Sequence, residues 1–364
     1  MKKVLIVITT GFRSTGGLTT VMMNYWRNMN RESLLIDFAS NNEPDDALLK
    51  EIESEGGEYF KLPRRGKWLI PYMCQLWRLS KNYDIVHVNG NSATSFLELI
   101  VAKWAGVDVR LVHNHNSETA HPLLNKLLMP LFRKSYTRAL ACSEQAGDWL
   151  FGVCNKDYII LKNAIDVKRF QYSSEIRKKI RKDFGFVEND FIVGHVGKMV
   201  EAKNHEFLLQ FFGAFNEKYP NSKLLLVGTG VLSEKLKIMV NDLGIKGNVM
   251  FLGIRTDVAD LLQVMDGFVF PSIHEGLPLS VLEAQASGLP CFISDRITKE
   301  VMVSPYIHAL SIEDTPASWA EYIKANMPAE SRENVCRTNA ECITNAGYNI
   351  ETEAGKLRDI YLRN

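Results

Sequence analysis

The sequence predicts an α/β chain built as two doubly wound, Rossmann-like domains in series. Three observations lead to this. At 364 residues the chain exceeds one ordinary hydrophobic core and suits two domains. Short β-branched runs alternate with amphipathic stretches, the pattern of parallel strands covered by helices on both faces. The alternation then breaks near the charge run Arg177-Lys-Lys-Ile-Arg-Lys182 and starts again.

The opening Met1-Lys-Lys-Val-Leu-Ile-Val-Ile-Thr-Thr10 holds an apolar run of five, with no small-residue cleavage site before Arg13. It reads as a buried first strand, Val4–Ile8, rather than a signal peptide. Further strands are expected at Leu35–Ala39, Ile85–Val88, Val109–His113 and Tyr158–Leu161, with helices at Thr19–Met29, Ala47–Glu55 and Ser95–Ala105. The second series gives strands at Ile192–Val196, Lys223–Val227, Val249–Leu252, Gly267–Phe270 and Cys291–Ser294. Expected boundaries are a first domain over residues 1–168, a linker over 169–189 and a second domain over 190–347. A last helix within 348–364 (apolar at Ile350, Leu357, Ile360 and Tyr361) would pack back on the first domain. Two such domains would face each other across a cleft at the carboxyl ends of their strands.

Composition excludes several classes. Lys plus Arg (43) against Asp plus Glu (42) leaves +1, too weak a field to hold a nucleic-acid backbone. Six scattered cysteines without a C-x-x-C pair suggest buried thiols in a reducing compartment, not a disulfide frame or zinc cluster. No run approaches the roughly 18 apolar residues that a spanning helix needs, so a cytoplasmic protein is expected.

Three loops are candidates for phosphate binding. Gly11-Phe-Arg-Ser-Thr-Gly16-Gly17 has the first two glycines of a P-loop, but Gly17 and Leu18 stand where Lys and Ser/Thr are required, which excludes a nucleoside triphosphatase. An anion-binding loop and an ordinary tight turn both remain open there. Gly228-Thr-Gly230 is half a dinucleotide fingerprint, with Ser233 in place of the third glycine. Alone it reads as a strand-to-helix turn. The third loop runs from Pro271 through Glu275-Gly276-Leu-Pro278 to Glu283 and Gly288. Pro278 suits a helix start and Gly288 its end, predicting a helix over Pro278–Ser287. Glu275 at its mouth and Glu283 inside it suit accepting hydrogen bonds from sugar hydroxyls. The N–H groups of Gly276, Leu277 and Leu279 would face phosphate oxygens.

The Glu275-to-Glu283 segment resembles the E-x7-E element of family-4 retaining glycosyltransferases of the GT-B fold. Gly194-His-Val-Gly197-Lys198 with Lys203-Asn204 resembles the family's phosphate segment, and Leu226-Val-Gly-Thr-Gly230 its next strand and turn. Asn163-Ala-Ile-Asp166 with Phe170 is similar to the segment entering its linker, and Val112-His-Asn-His-Asn116 to the histidine segment of exopolysaccharide and capsule-type members. Lys198 replaces the usual Arg, a point charge in place of a fork, and Ala164 replaces a common Gly.

The resemblance implies transfer of a glycosyl group, with retention, from a UDP-linked sugar to a glycan or polyprenyl-linked glycan acceptor. Glu283 would hold ribose hydroxyls and Glu275 those of the donor sugar. Lys198 and Lys203 would neutralise the leaving diphosphate, and Gly16 and Gly17 would close on the donor. Gly197, Gly228, Gly230 and Arg255 complete the expected donor set. His115, then His113, would donate a hydrogen bond to a sugar; a metal held by both with Glu118 or His121 is the weaker reading. No Asp-x-Asp stands at a strand end, so no cofactor and no metal are expected. His87 and His205 are expected to be satisfied structural histidines. Leu69, Tyr72, Met73, Leu76 and Trp77 read as a core-facing stripe; the weaker alternative sets Arg64, Arg65, Lys67 and Trp68 at an anionic membrane surface. The rivals are a nicotinamide-dependent dehydrogenase, which needs a G-x-G-x-x-G that the first loop lacks, a sugar-nucleotide epimerase, and a non-catalytic sugar-nucleotide sensor.

Overall fold

The computed structural model describes residues 1–14, 16–119, 121–154 and 157–363. They fall into two compact units, Met1–Ala164 with Ile350–Asn364, and Ile165–Asn349.

The first unit holds β1 (Lys2–Ile8), β2 (Leu34–Ser40), β3 (Tyr59–Lys61), β4 (Ile85–Gly90), β5 (Val109–Asn114), β6 (Arg138–Ala141) and β7 (Tyr158–Ile160). They form one sheet in the order β3-β2-β1-β4-β5-β6-β7, every pair parallel. The second unit holds β8 (Phe191–Val196), β9 (Ser222–Val227), β10 (Val249–Gly253), β11 (Gly267–Phe270), β12 (Cys291–Ser294) and β13 (Ile307–Leu310). Their order is β10-β9-β8-β11-β12-β13, again parallel throughout.

The strands read as unbroken apolar runs because helices cover both faces of each sheet. Val4–Ile8 is wholly buried. In the second unit alternate residues feed opposite cores, Ile192, Leu225, Phe268 and Phe270 on one side and Val193, Leu224, Leu226 and Val269 on the other. Three strands were not anticipated from sequence: β3, β6 and β13. Each has only three or four residues, too few for an alternation to show, and each owes its strand state to the neighbour it pairs with.

The segment 169–189, expected as a linker, belongs to the second unit. Its helix Ser174–Asp183 packs on the helix Val258–Val264. Arg177 donates from Nη1 to the carbonyls of Gln263, Val264 and Met265 at 3.0 Å and from Nη2 to Asp266 Oδ1 at 2.6 Å. Arg181 Nη1 likewise donates to the Val264 carbonyl at 3.3 Å, so two arginines of the charge run turn inward and satisfy the carbonyl end of a neighbouring helix. The last helix, Ile350–Leu362, lies in the first unit against the helix Gly17–Asn28 and β1, burying Ile350, Ala354, Leu357, Ile360 and Tyr361.

Two further expectations are corrected. Only Cys291 and Cys336 are buried, whereas Cys74 and Cys154 are exposed, because they sit on outward helix and loop positions. On the segment after β3, Tyr72 and Leu76 are buried, but Trp68, Leu69 and Ile70 are exposed and Trp77 is at the surface. Among the described residues no helix is long and apolar enough to cross a membrane.

Candidate functional site

In the second unit the strand order reverses between β8 and β11, so the loops leaving their carboxyl ends diverge and open a crevice. These loops carry the predicted residues. Lys203, at the end of a short 3₁₀ turn after β8, places Nζ 2.6 Å from Glu275 Oε1, in the loop after β11, and 4.5 Å from the centre of the Phe270 ring. The pair ties the two loops together across the switch point. Burial depresses the Lys203 pKa and so does Lys198, while Glu275 opposes both. Lys198 is exposed and has no ion-pair partner among the described residues. Only Lys203 is paired with the carboxylate, so the neighbouring Lys198 leaves an excess of positive charge beside it. Asn204 follows with φ 53°, a left-handed residue that lets the chain turn straight into the helix His205–Lys218.

The helix after β11 spans Leu279–Ala286, with Pro278 as its N-cap and no capping side chain. Its first N–H groups are left for another partner. It stops at Gly288, whose φ is +70°. Gly276 lies in open space, while Leu277 and Leu279 rest against the core. Glu283, one face round from the helix start, is half-buried and makes no side-chain hydrogen bond among the described residues. Burial pushes its carboxyl up to about 7, with Arg169 pulling the other way.

The glycines act chiefly between loops. Gly228 has φ +128°, and a Cβ there would lie 2.0 Å from the Gly197 carbonyl oxygen; at Gly230 it would lie 2.3 Å from that of Met199. Gly197 N–H donates to Val227 and Met199 N–H to Thr229. The Gly-Thr-Gly turn is thus a backbone seat for the Lys198 loop, and Ser233 Oγ accepts from the Gly230 N–H. Arg255 is exposed and engaged bidentately with Asp257, at 2.8 and 2.5 Å. It is not brought against the Lys203–Glu275 pair.

In the first unit the switch point lies between β1 and β4. The loop after β1 is braced by Asn42, which accepts from Phe12 N–H at 2.6 Å, and by Asp45, which accepts from Ser14 N–H at 2.6 Å. Gly16 precedes the helix Gly17–Asn28, which has no capping side chain and no acid in its first turn. A Cβ on Gly17 would meet nothing within 4 Å. The rings of His87 in β4, His113 in β5 and His115 just beyond it lie in succession, the first two stacked with centroids 5.6 Å apart and the last two tilted by 39° with centroids 3.9 Å apart. Tyr361 OH lies 2.7 Å from His87 Nδ1. His115 Nδ1 faces Asn163 Oδ1 at 3.1 Å and its Nε2 faces Asn89 Oδ1 at 2.9 Å. Burial depresses all three histidines, His87 to about 3 and His115 to about 4. A neutral ring donates from one nitrogen only, so one amide must turn its NH₂ to the ring. Asn89, whose Nδ2 has no other partner, is suited to do so.

His113 is fully buried between its two neighbours, whereas His115 is half-buried at the edge of the stack. His205, expected to be a satisfied structural histidine, has no hydrogen-bond partner for either ring nitrogen among the described residues. It is held by an edge-on contact with His195, centroids 4.6 Å apart, and is depressed to about 4. No group of three or more His, Cys, Asp or Glu is clustered as a metal site would require, among the described residues.

The sequence profile of the family described as Glycosyl transferases group 1 matches residues 176–342. EpsF of Bacillus subtilis (strain 168), provisionally named a glycosyltransferase, is 32% identical over 99% of this chain and 96% of its own. The chain belongs to the group 1 glycosyltransferase family. It is 28% identical, over 80% of its length and 78% of the relative's, to the Escherichia coli UDP-Gal:alpha-D-GlcNAc-diphosphoundecaprenol alpha-1,3-galactosyltransferase. Among solved structures, HepE from Anabaena in complex with UDP superimposes with a TM-score of 0.78 over the whole of both chains, at 16% identity. The two doubly wound units are those of the GT-B fold.

The sequence singles out Lys198, Lys203, Glu275 and Glu283, and the structure places them on the loops and helix that follow β8 and β11. Sequence reasoning missed the supporting residues. Phe270 under Lys203, Arg169 near Glu283, and Asn89 and Tyr361 beside the histidines come from distant segments and carry no motif; Asn163 belongs to a recognised segment, but its contact with His115 does not show in the sequence. A further signal was the polar Asn89 near the end of the strand β4.

Proposed function

We propose that this glycosyltransferase moves a sugar, with retention and without a metal, from a UDP-sugar to a glycan or lipid-linked glycan acceptor. The product would be a surface or exopolysaccharide precursor assembled on the cytoplasmic side of a membrane. The observation that carries this reading is the Lys203–Glu275 pair across the β8/β11 switch point, beside the unpaired Lys198. The UDP bound by HepE and the UDP-Gal donor and diphosphoundecaprenol acceptor in the Escherichia coli relative's name support the donor and acceptor classes.

In this reading Glu283 accepts hydrogen bonds from the ribose hydroxyls. Glu275, oriented by Lys203, accepts them from the donor sugar. The N–H groups of Gly276, Leu277 and Leu279 meet the diphosphate at the helix start. The bond from the anomeric carbon to the diphosphate oxygen breaks, and the acceptor oxygen bonds to that carbon on the same face. The acceptor proton passes to the departing diphosphate, whose charge Lys198 and Lys203 stabilise. His115 donates to a sugar hydroxyl only by giving up its bond to Asn163 or Asn89, and His113 behind it fixes its tilt. The chain's work is positioning and electrostatic stabilisation.

The test is a thermal-shift panel in EDTA with UDP, GDP, UDP-sugars and NAD, on wild type and Glu283→Ala. It is followed by NMR assignment of the anomeric configuration of the product. Stabilisation by UDP-sugars, lost in the variant, is expected, with a product of retained configuration. Stabilisation by NAD alone, a strict requirement for added divalent metal, or an inverted product would overturn the corresponding part. Donor binding without transfer to any acceptor would favour a sensor.

A further inference from the structure

The helix Pro122–Phe132, which follows β5, presents its apolar residues outward. Leu123, Leu124, Leu127 and Leu131 are 85%, 44%, 74% and 51% exposed. Its inward face is settled: Phe132 is buried, Leu128 and Met129 pack on the core, and Asn125 Oδ1 accepts from Ala93 N–H at 2.7 Å. At 100° per residue, Leu123, Leu127 and Leu131 with Leu124 form one stripe, and Lys126 and Arg133 border one side of it. Segment 121–138 carries Lys126, Arg133, Lys134 and Arg138 and no acidic residue, in a chain whose net charge is only +1. Lys126, Arg133 and Lys134 are exposed, and none has an ion-pair partner among the described residues.

We propose that this helix is the surface by which the protein docks on an anionic phospholipid membrane, leucines in the acyl boundary and the basic rim on the headgroups. The proposal rests on the lipid-linked acceptor of the preceding section and places it. Because every strand of the sheet is parallel, the helix starts at the carboxyl end of β5, the same end as Asn89 and His115. A second copy of the chain is a poorer occupant. Two such stripes meeting face to face would bring like charges together with no carboxylate on either helix to receive them.

The basic segment Arg64–Trp68, for which the sequence offered membrane contact as the alternative reading, is a weaker candidate. Arg65 is engaged with the buried carboxylate of Glu98, which also accepts from Tyr72 OH at 2.5 Å. Its cation therefore serves the interior of the unit.

Flotation of the full-length protein with phosphatidylcholine vesicles, with and without phosphatidylglycerol, tests the proposal. Binding is expected only to the anionic vesicles. It should fall roughly fivefold per cation removed by Lys126→Gln, Arg133→Gln and Lys134→Gln, and should be lost in Leu123→Asp/Leu127→Asp. Arg64→Gln/Lys67→Gln should bind as wild type. Because the substituted leucines are exposed, UDP-dependent thermal stabilisation should survive in every variant, which separates failure here from failure of the donor assignment. Undiminished binding in the leucine variant, or loss of binding in Arg64→Gln/Lys67→Gln alone, would overturn the proposal. A wild-type dimer in light scattering that the leucine variant dissociates, with no vesicle binding, would assign the face to a second copy instead.

Discussion

Glu283 offers a measurement that joins stability to function. Its carboxyl is pushed from 4.5 up to about 7, chiefly by burial. Below pH 4.5 both folded and unfolded states are protonated there. Between pH 4.5 and about 7 the unfolded state has released its proton and the folded state has not, so stability falls as pH rises through that window and is level above it. Two and a half units at 1.36 kcal/mol each give an upper figure of roughly 3 kcal/mol, reduced in practice because the half-buried group is partly screened. Buried histidines act in the opposite sense. His87, His115 and His205, held at about 3, 4 and 4, resist protonation in the folded state and make it lose stability as pH falls below about 6.5. The quantity to follow is therefore the difference between wild type and Glu283→Gln, in which the histidine contribution cancels. Denaturant unfolding from pH 4.5 to 8 should show wild type losing up to roughly 3 kcal/mol relative to the variant, all of it by about pH 7. Ribose hydroxyls donating to the carboxylate favour its ionised form. Calorimetry near pH 6.5 in buffers of differing ionisation enthalpy should then show UDP releasing a proton from wild type and none from the variant. A pH-independent difference between the two proteins would refute the burial argument; equal proton release would remove Glu283 from the nucleotide.

Lys203→Ala should lower kcat/KM by roughly 10²–10³, since it removes a preorganised cation and leaves the Glu275 carboxylate facing the donor unpaired; steady-state kinetics at saturating acceptor would show it, and a loss below tenfold would contradict the role. Gly228→Ala should destabilise the second unit by at least about 2 kcal/mol, from a strained φ and a Cβ 2.0 Å from the Gly197 oxygen. Chemical denaturation reads this directly. Arg65→Met should cost about 3 kcal/mol, because it abandons the Glu98 carboxylate inside the first unit, whereas the double variant with Glu98→Leu should recover most of that loss in the same assay. Tyr361→Phe, which removes the hydrogen bond to His87, should cost about 1 kcal/mol of stability.

What the sequence determined by itself was whatever rests on local pattern. The β-branched runs at Val4–Ile8, Ile192–Val196 and Gly267–Phe270 declare strands because a helix-covered parallel strand must be apolar on both faces. Pro278 and Gly288 mark the helix bearing Glu283 because φ preferences are encoded residue by residue. The Glu275-to-Glu283 spacing and the Lys198/Lys203 segment were legible for the same reason: each lies within one loop and its adjoining turn. Only the tertiary structure decided the rest. The short strands β3, β6 and β13 form because a paired neighbour supplies their hydrogen bonds. Arg177 and Arg181 read as a solvated charge run until the carbonyl end of another helix receives them. Arg65 reads as a surface cation, yet Glu98, 33 positions away in the chain, draws it inward. Conversely, Leu123, Leu127 and Leu131 are apolar and lie outside. Periodicity shows that a helix has an apolar face, but which way that face turns is settled by what packs against its other side, here Phe132 and the Asn125 bond to Ala93.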